Sequence, residues 1–134
     1  MRFMMLVKAG KDYEAGQPPD PKLSERIGQL GDELARKGVL LEMGGLLPSA
    51  QGARVRVTRG TLRVVDGPFA ESKELVGGYA IMQTRSKEEA IRLGTDFMQL
   101  HVDVLGPSYD GELEIRQLFD PADMAGQEGA ADVR

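Results

Sequence analysis

Apolar and polar positions along this chain form patterns that predict six β-strands. Four of them cover residues 2–8, 39–43, 78–84 and 112–119, where apolar side chains form short runs or alternate with polar ones. Two further runs, on either side of Arg59-Gly60, alternate arginine with valine or leucine and predict a hairpin. The pairs Gly44-Gly45 and Gly77-Gly78 are predicted to turn the chain.

Two helices are predicted from apolar residues that recur every three or four positions. Asp20 as N-cap and Pro21 at the first helical position start the first helix, which Gly38 ends. The capping box Ser86-Lys87-Glu88-Glu89 starts the second helix, which should end near Gly106. The inward stripe of this second helix is predicted to be Ala90, Leu93 or Gly94, Phe97 and His101.

The order of these elements predicts an α+β fold. Two strand–helix–strand units with a hairpin between them fit a ferredoxin-like sandwich, in which an antiparallel sheet carries both main helices on one face. We expect a single domain over residues 1–120 and a flexible tail over 121–134, which is rich in Ala, Gly and Asp. The other face of such a sheet is either wetted or buried against a second copy, and we expect a homodimer.

Composition and charge indicate where the protein is expected to function and which classes of partner are not expected. Of the 134 residues, 41% are hydrophobic and 28% charged, and no apolar run reaches the roughly 18 residues that span a bilayer. The apolar run before Lys8 is too short for a secretory signal and cysteine is absent, so we expect a cytoplasmic protein without a membrane partner. The net charge of −4 has the wrong sign for neutralising phosphates, so nucleic acid is not an expected partner.

The predicted hairpin carries the basic cluster of the chain, and its pattern has two interpretations. The favoured one is a half-buried hairpin whose valines face the core and whose arginines face water. The other is a strip that binds anions. The arginines are Arg54, Arg56, Arg59 and Arg63.

Candidate chemistry is concentrated between Asp66 and Tyr79, where four ionisable side chains lie within nine residues. Asp66 is a candidate general base, although Asp-Gly is also a common turn pair whose carboxylate accepts backbone N–H groups. Lys73 could steady a developing anion or form a surface ion pair with a neighbouring glutamate. Tyr79 could form part of the wall of a site, or it could pack in the core or at an interface. The predicted substrate-binding residues are Phe69, Glu71, Lys73 and Tyr79.

His101 is the single histidine of the chain and the candidate partner of Asp66 in acid–base catalysis. A histidine side chain can accept and release protons near neutral pH. Its place on the apolar stripe of a helix is also typical of a histidine that only packs. With one histidine and no cysteine, no metal-ligand spacing is present, and we expect neither a metal nor a cofactor.

Several motifs of this chain resemble the DGPF branch of the YciI-related (YCII-like) proteins. They are the strand at 3–7, Gly44-Gly45-Leu46-Leu47-Pro48-Ser49, Asp66-Gly67-Pro68-Phe69-Ala70-Glu71-Ser72-Lys73-Glu74, Gly77-Gly78-Tyr79 and Leu100-His101. The resemblance implies a dimeric α+β barrel of ferredoxin-like subunits, with a cleft around acidic and histidine positions. It also implies relatives that have been labelled as small-molecule enzymes or that lie beside sigma-factor domains, without a shared activity.

Two functional hypotheses follow. In the first, the protein is a cofactor-independent enzyme that acts on a small organic molecule, with Asp66 and His101 as base and acid in one pocket. In the second, it is a non-catalytic module that binds a ligand or a protein, for example in transcription regulation. An enclosed, partly apolar pocket with inward ionisable groups favours the enzyme, whereas a flat exposed loop favours the module.

Overall fold

The computed structural model describes residues 1–70 and 74–121, which form six strands, three helices and a 3₁₀ turn at Ser49–Gln51. The strands are β1 (Arg2–Lys8), β2 (Leu40–Gly45), β3 (Ala53–Thr58), β4 (Thr61–Asp66), β5 (Val76–Gln83) and β6 (Leu113–Gln117). The helices are α1 (Lys11–Glu14), α2 (Pro21–Arg36) and α3 (Lys87–Leu105). All strands and both long helices begin and end within a few residues of their predicted bounds, and α1 is a short additional helix between β1 and α2.

The two long helices start at the caps that the sequence predicts. The Asp20 carboxylate accepts hydrogen bonds from the backbone N–H groups of Lys22 at 2.8 Å and Leu23 at 3.3 Å. Ser86 Oγ accepts from the Glu89 N–H at 3.1 Å. These bonds satisfy N–H groups that have no partner within the first turn of a helix.

Four strands form one antiparallel sheet in the order β2-β5-β1-β6, which is consistent with a ferredoxin-like α+β fold. Met5 of β1 lies opposite Ala80 of β5 and Ile115 of β6, so these side chains share one face. We call this the inner face, because α2 and α3 pack on it. The core between the two layers contains Phe3, Met5, Leu34, Met82 and Ala90.

Glycines set how closely the helices approach the sheet. A Cβ atom at Gly94 of α3 would lie 2.7 Å from a methyl group of Leu113 and 3.0 Å from one of Ile115. A Cβ atom at Gly31 of α2 would lie 2.9 Å from the sulfur of Met43. Small residues therefore let both helices lie against the inner face, whereas Gly28 faces open space.

The hairpin of β3 and β4 forms a separate two-stranded sheet. Val55 lies opposite Val64 and Val57 opposite Leu62, and between 66% and 69% of each of these residues is exposed. The interpretation in which the hairpin valines face the core is therefore wrong for this chain. The hairpin strands pair only with each other among the described strands, so their apolar face is not covered by the helices that pack on the main sheet.

Within the described residues, no helix has the length and apolarity that crossing a membrane requires. Residues 122–134 of the predicted tail lie outside the described residues.

Candidate functional site

A cavity of about 820 Å³ lies between the inner face of the sheet and the two long helices. It is at the end of the sheet where β1 and β2 finish and β5 begins. The segment between β1 and α2, and residues 108–110 after α3, border it. Its walls are mainly apolar, and a volume of this size is typical of small-molecule sites. The apolar walls include Met5, Leu30, Leu34, Leu40, Met82, Leu93 and Phe97.

His101 lines this cavity near the C-terminal end of α3, and only 6% of the residue is exposed. Its Nδ1 atom lies 2.9 Å from the carbonyl oxygen of Phe97. A carbonyl oxygen can only accept a hydrogen bond, so Nδ1 carries the proton and donates it. The Nε2 atom of the neutral ring is then left with a lone pair.

Two aromatic rings fix the orientation of the His101 imidazole. Tyr109 stacks on it with ring centroids 5.4 Å apart, and the Phe97 ring meets it edge-on at 4.8 Å. No buried side-chain nitrogen or oxygen among the described residues lacks a hydrogen-bond partner. No described residue bonds to Nε2, so this atom is accessible, and the cavity beside it is the space that it can reach. Burial also raises the pKa of Tyr109.

Lys8 and Tyr79 also belong to the lining, but their side chains are engaged with neighbours. The register opposite Leu6 places the side chains of Tyr79 and Glu114 on the other face of the sheet. Lys8 Nζ lies 3.0 Å from the Glu114 carboxylate. This hydrogen bond raises the pKa of Lys8 and lowers that of Glu114. The Tyr79 hydroxyl donates to Glu42 Oε2 at 2.8 Å, and that bond raises the pKa of Tyr79. The Lys8 amine and the Tyr79 hydroxyl are therefore both engaged and are not free to act as an acid or a base.

The motif Asp66–Glu74, which we call the signature segment, is tied to the border of the cavity where Phe69 contacts Ser49. Glu14 of α1 accepts hydrogen bonds from the Ser49 N–H at 2.8 Å and from its hydroxyl at 2.6 Å. These bonds, the hydroxyl bond first, lower the pKa of Glu14. Ser49 Oγ in turn accepts from the Phe69 N–H at 3.0 Å. We call these three residues the Glu14 clamp.

The structure brings together only part of the predicted site. His101 lines the cavity, and Tyr79 borders it from β5, but the register opposite Leu6 and Gly44 puts the Tyr79 side chain on the other face of the sheet. Asp66 and Phe69 are not among the described residues that line it. Asp66 is exposed at the end of β4, opposite Ala53, and the Phe69 ring lies under the Arg54 guanidinium at 3.9 Å. Glu71 and Lys73 lie outside the described residues. A catalytic role for Asp66 and His101 stays a prediction.

Sequence reasoning missed several residues at the cavity. Tyr109 follows α3 in a loop, and no sequence spacing links it to the His101 ring. The two glycine pairs were predicted to turn the chain but lie within β2 and β5, where Gly44 pairs with Tyr79 and Gly45 with Gly78. Their position at the ends of two apolar runs is a signal that could have placed them beside a site.

Within residues 1–70 and 74–121, no group of three or more His, Cys, Asp or Glu side chains is arranged to hold a metal ion. The cavity instead offers one imidazole nitrogen, aromatic edges and apolar walls. Such a set can hold a small organic molecule and exchange a proton with it.

Comparison with known proteins places this chain among proteins whose activity is not assigned. Residues 1–97 match the model of the YCII-related domain. An uncharacterised protein of Rhizobium meliloti (strain 1021) is 28% identical over 99 residues, which cover 74% of this chain and 75% of that protein.

Proposed function

We propose that this chain, which belongs to the YCII-related domain family, binds a small organic molecule in its inner cavity and exchanges a proton with it through His101. The observation that carries the proposal is the open Nε2 atom of His101, beside a mainly apolar cavity. The reaction class is proton transfer at a C–H or O–H group made acidic by a neighbouring carbonyl or aromatic system. Such a step consumes no electrons and needs no cofactor.

The surroundings of His101 support a role as a base. The Phe97 carbonyl holds the Nδ1 proton, and Tyr109 prevents the ring from tilting. A substrate proton can therefore reach only Nε2. Once protonated there, the imidazolium keeps its bond to Phe97 and can return the proton to another atom of the substrate.

Deuterium uptake tests this proposal without knowledge of the natural substrate. A panel of carbonyl compounds and phenols is incubated with the protein in D₂O, and deuterium at carbon is followed by NMR. We expect protein-dependent uptake in at least one compound and a loss of about 10²-fold or more in His101→Gln. Asp96→Asn, on the exposed side of the same helix, is the matched control and should keep the wild-type rate. Equal rates in His101→Gln and wild type would contradict the proposal.

Asp66→Asn tests the predicted partnership of Asp66 with His101 in the same assay. A loss as large as that of His101→Gln would support a shared catalytic step. An unchanged rate would assign Asp66 to the turn at Gly67 instead, which fits its exposed position outside the lining residues.

We also propose that the chain forms a homodimer in which the hairpin contacts the second copy. The four exposed apolar residues of the hairpin share one face, and a two-stranded hairpin is marginally stable alone. Residues 53–66 carry four arginines and one aspartate, or +3, which leaves −7 for the rest of a chain of net charge −4. The hairpin and the rest of a second copy therefore carry charges of opposite sign, which favours their encounter.

The mass of the protein in solution tests the homodimer. Light scattering after size exclusion should give twice the chain mass for wild type, and Val57→Asp should shift the protein towards the monomer. Arg63→Gln, on the other face of the hairpin, is the control and should affect the mass less. A monomeric wild type would contradict this second proposal, including the dimeric α+β barrel that the resemblance implies.

A further inference from the structure

The glycines of β2 and β5 border the cavity, and three of them are explained by neighbouring atoms. A Cβ atom at Gly44 would lie 3.0 Å from the Tyr79 ring. One at Gly77 would lie 3.3 Å from Cα of Ala9, and one at Gly78 would lie 3.3 Å from the carbonyl oxygen of Gly44. Close packing therefore accounts for the absence of a side chain at these positions.

Gly45 differs from the other three, because a Cβ atom there would meet nothing within 4 Å. Its backbone does not have the positive φ that favours glycine. It lies opposite Gly78, which itself lies opposite Val7 of β1 on the inner face. Gly45 is exposed at the end of the edge strand β2, so a side chain at position 45 would extend from the inner face into the mouth of the cavity. Neither steric contact nor backbone conformation requires glycine at position 45. A ligand that occupied this part of the cavity would require it.

The groups around this space are suited to an aromatic occupant. Met5, Met43 and Met82 line the cavity, and thioether sulfurs make favourable contacts with aromatic rings. Phe97 and Tyr109 provide aromatic surfaces for edge or stacking contacts. A flat ring needs only van der Waals distances of about 3.5–4 Å on each side, so it fits between Gly45 and Gly78, where the sheet has no side chain, and the facing helix layer better than a puckered one.

The charges along the cavity exclude an anion as the preferred ligand. Lys8 is engaged with Glu114, and Lys11 is exposed in α1. Three carboxylates, those of Asp12, Asp20 and Asp110, belong to the lining. The deeper wall is apolar, and burying an unpaired charge against it would be costly.

We propose that the cavity selects a planar, uncharged aromatic or heteroaromatic ligand of one or two rings, which lies over Gly45 and directs an acidic hydrogen at Nε2 of His101. The inference rests on the proposed function and specifies its ligand. Gly45 is then the residue that determines how large a ring the site accepts.

Three probes of one carbon skeleton test the ligand class on the wild-type protein. They are 2-naphthol, which is planar and neutral; 2-naphthoate, which is planar and anionic; and decahydro-2-naphthol, which is neutral and puckered. Binding is followed by calorimetry and by the imidazole signals of His101, the single histidine of the chain. We expect 2-naphthol to bind most tightly and to shift the His101 signals. Binding of the anion or the puckered alcohol with equal or higher affinity and the same shifts would overturn the ligand class but leave the proposed function standing.

The variant Gly45→Val tests the size limit. Valine suits a strand, and the added side chain occupies the space over position 45. The affinity for 2-naphthol should fall about tenfold or more, while phenol should bind as it does to wild type. Leu41→Val, an exposed position of the same strand outside the lining, is the control and should bind both probes normally. Unchanged 2-naphthol affinity in a folded Gly45→Val would overturn the role of Gly45. If no probe of any class shifts the His101 signals, the proposed function falls and the ligand class with it.

Discussion

His101 combines a hydrogen-bonded Nδ1 with a second nitrogen that no described residue bonds. The Nδ1 bond is what any buried histidine requires, so it is the second nitrogen, beside the cavity, that points to function. The sequence predicted its place on the inner stripe of α3, because helical periodicity determines which side chains share a face. It could not predict the stacked Tyr109 or the bond to Phe97, since these depend on how the loop after α3 folds back and on the rotamer of one ring.

The Glu14 clamp gives a prediction at the same scale. Bonding to Ser49 holds the pKa of Glu14 below its usual value of 4.5, so ionised Glu14 stabilises the folded state. This contribution is complete above the pKa of the unfolded chain and is lost as the pH falls through the lower pKa of the folded state. Glu14→Gln should therefore be less stable than wild type at pH 7.

Denaturant unfolding between pH 7 and pH 3 measures this effect. The difference in unfolding free energy between wild type and Glu14→Gln should shrink as the pH falls below about 4.5. Glu25→Gln, at an exposed position of α2, is the charge-matched control. A difference that stays constant over this range would show that ionised Glu14 does not stabilise the fold.

At the scale of elements, the periodicity of apolar residues and the capping residues were enough to predict both long helices and all strands. They could not predict the role of individual glycines. Gly28 and Gly31 lie three residues apart in α2, yet only Gly31 approaches the sheet. The hairpin was likewise predicted as an element, but whether it continues the main sheet depends on long-range pairing that alternation does not specify.

Two glycine-to-alanine variants test the packing of the helices. Gly28→Ala should stabilise the protein by up to about 1 kcal/mol, because alanine favours helix and its Cβ meets no neighbour. Gly94→Ala brings the same gain in propensity but forces Leu113 and Ile115 to move, which typically costs about 1–3 kcal/mol. Gly94→Ala should thus be the less stable variant in chemical denaturation. Equal stabilisation by both would contradict the close contact between α3 and β6.

At the scale of the whole molecule, the sequence predicted an α+β fold of ferredoxin-like order, and the sheet order is consistent with it. The cavity was predicted as a cleft near the signature segment. Instead it lies between the helices and the sheet. The described residues of the signature segment reach its border through the Glu14 clamp and through Glu74, whose carboxylate lies 4.0 Å from Lys8 Nζ. Proximity in sequence could not reveal this, because Asp66 ends a hairpin that leaves the main sheet.

The proposed homodimer gives a prediction at this scale. Because association stabilises the folded chain by mass action, the thermal midpoint of wild type should rise with protein concentration. Val57→Asp should have a midpoint that is independent of concentration, since the charge disrupts the apolar face of the hairpin. Scanning calorimetry over a hundredfold range of concentration makes the comparison. A midpoint for wild type that does not move would contradict association through this face.

The state of His101 tests the central claim most directly. The chain has one histidine, so ¹⁵N-labelled protein gives the two imidazole nitrogens of a single ring without overlap. The account predicts a neutral ring protonated at Nδ1, with an unprotonated Nε2 whose signal shifts when 2-naphthol is added. A ring protonated at Nε2, or an Nε2 signal that no small aromatic molecule changes, would show that His101 only packs and that the cavity is not a proton-transfer site.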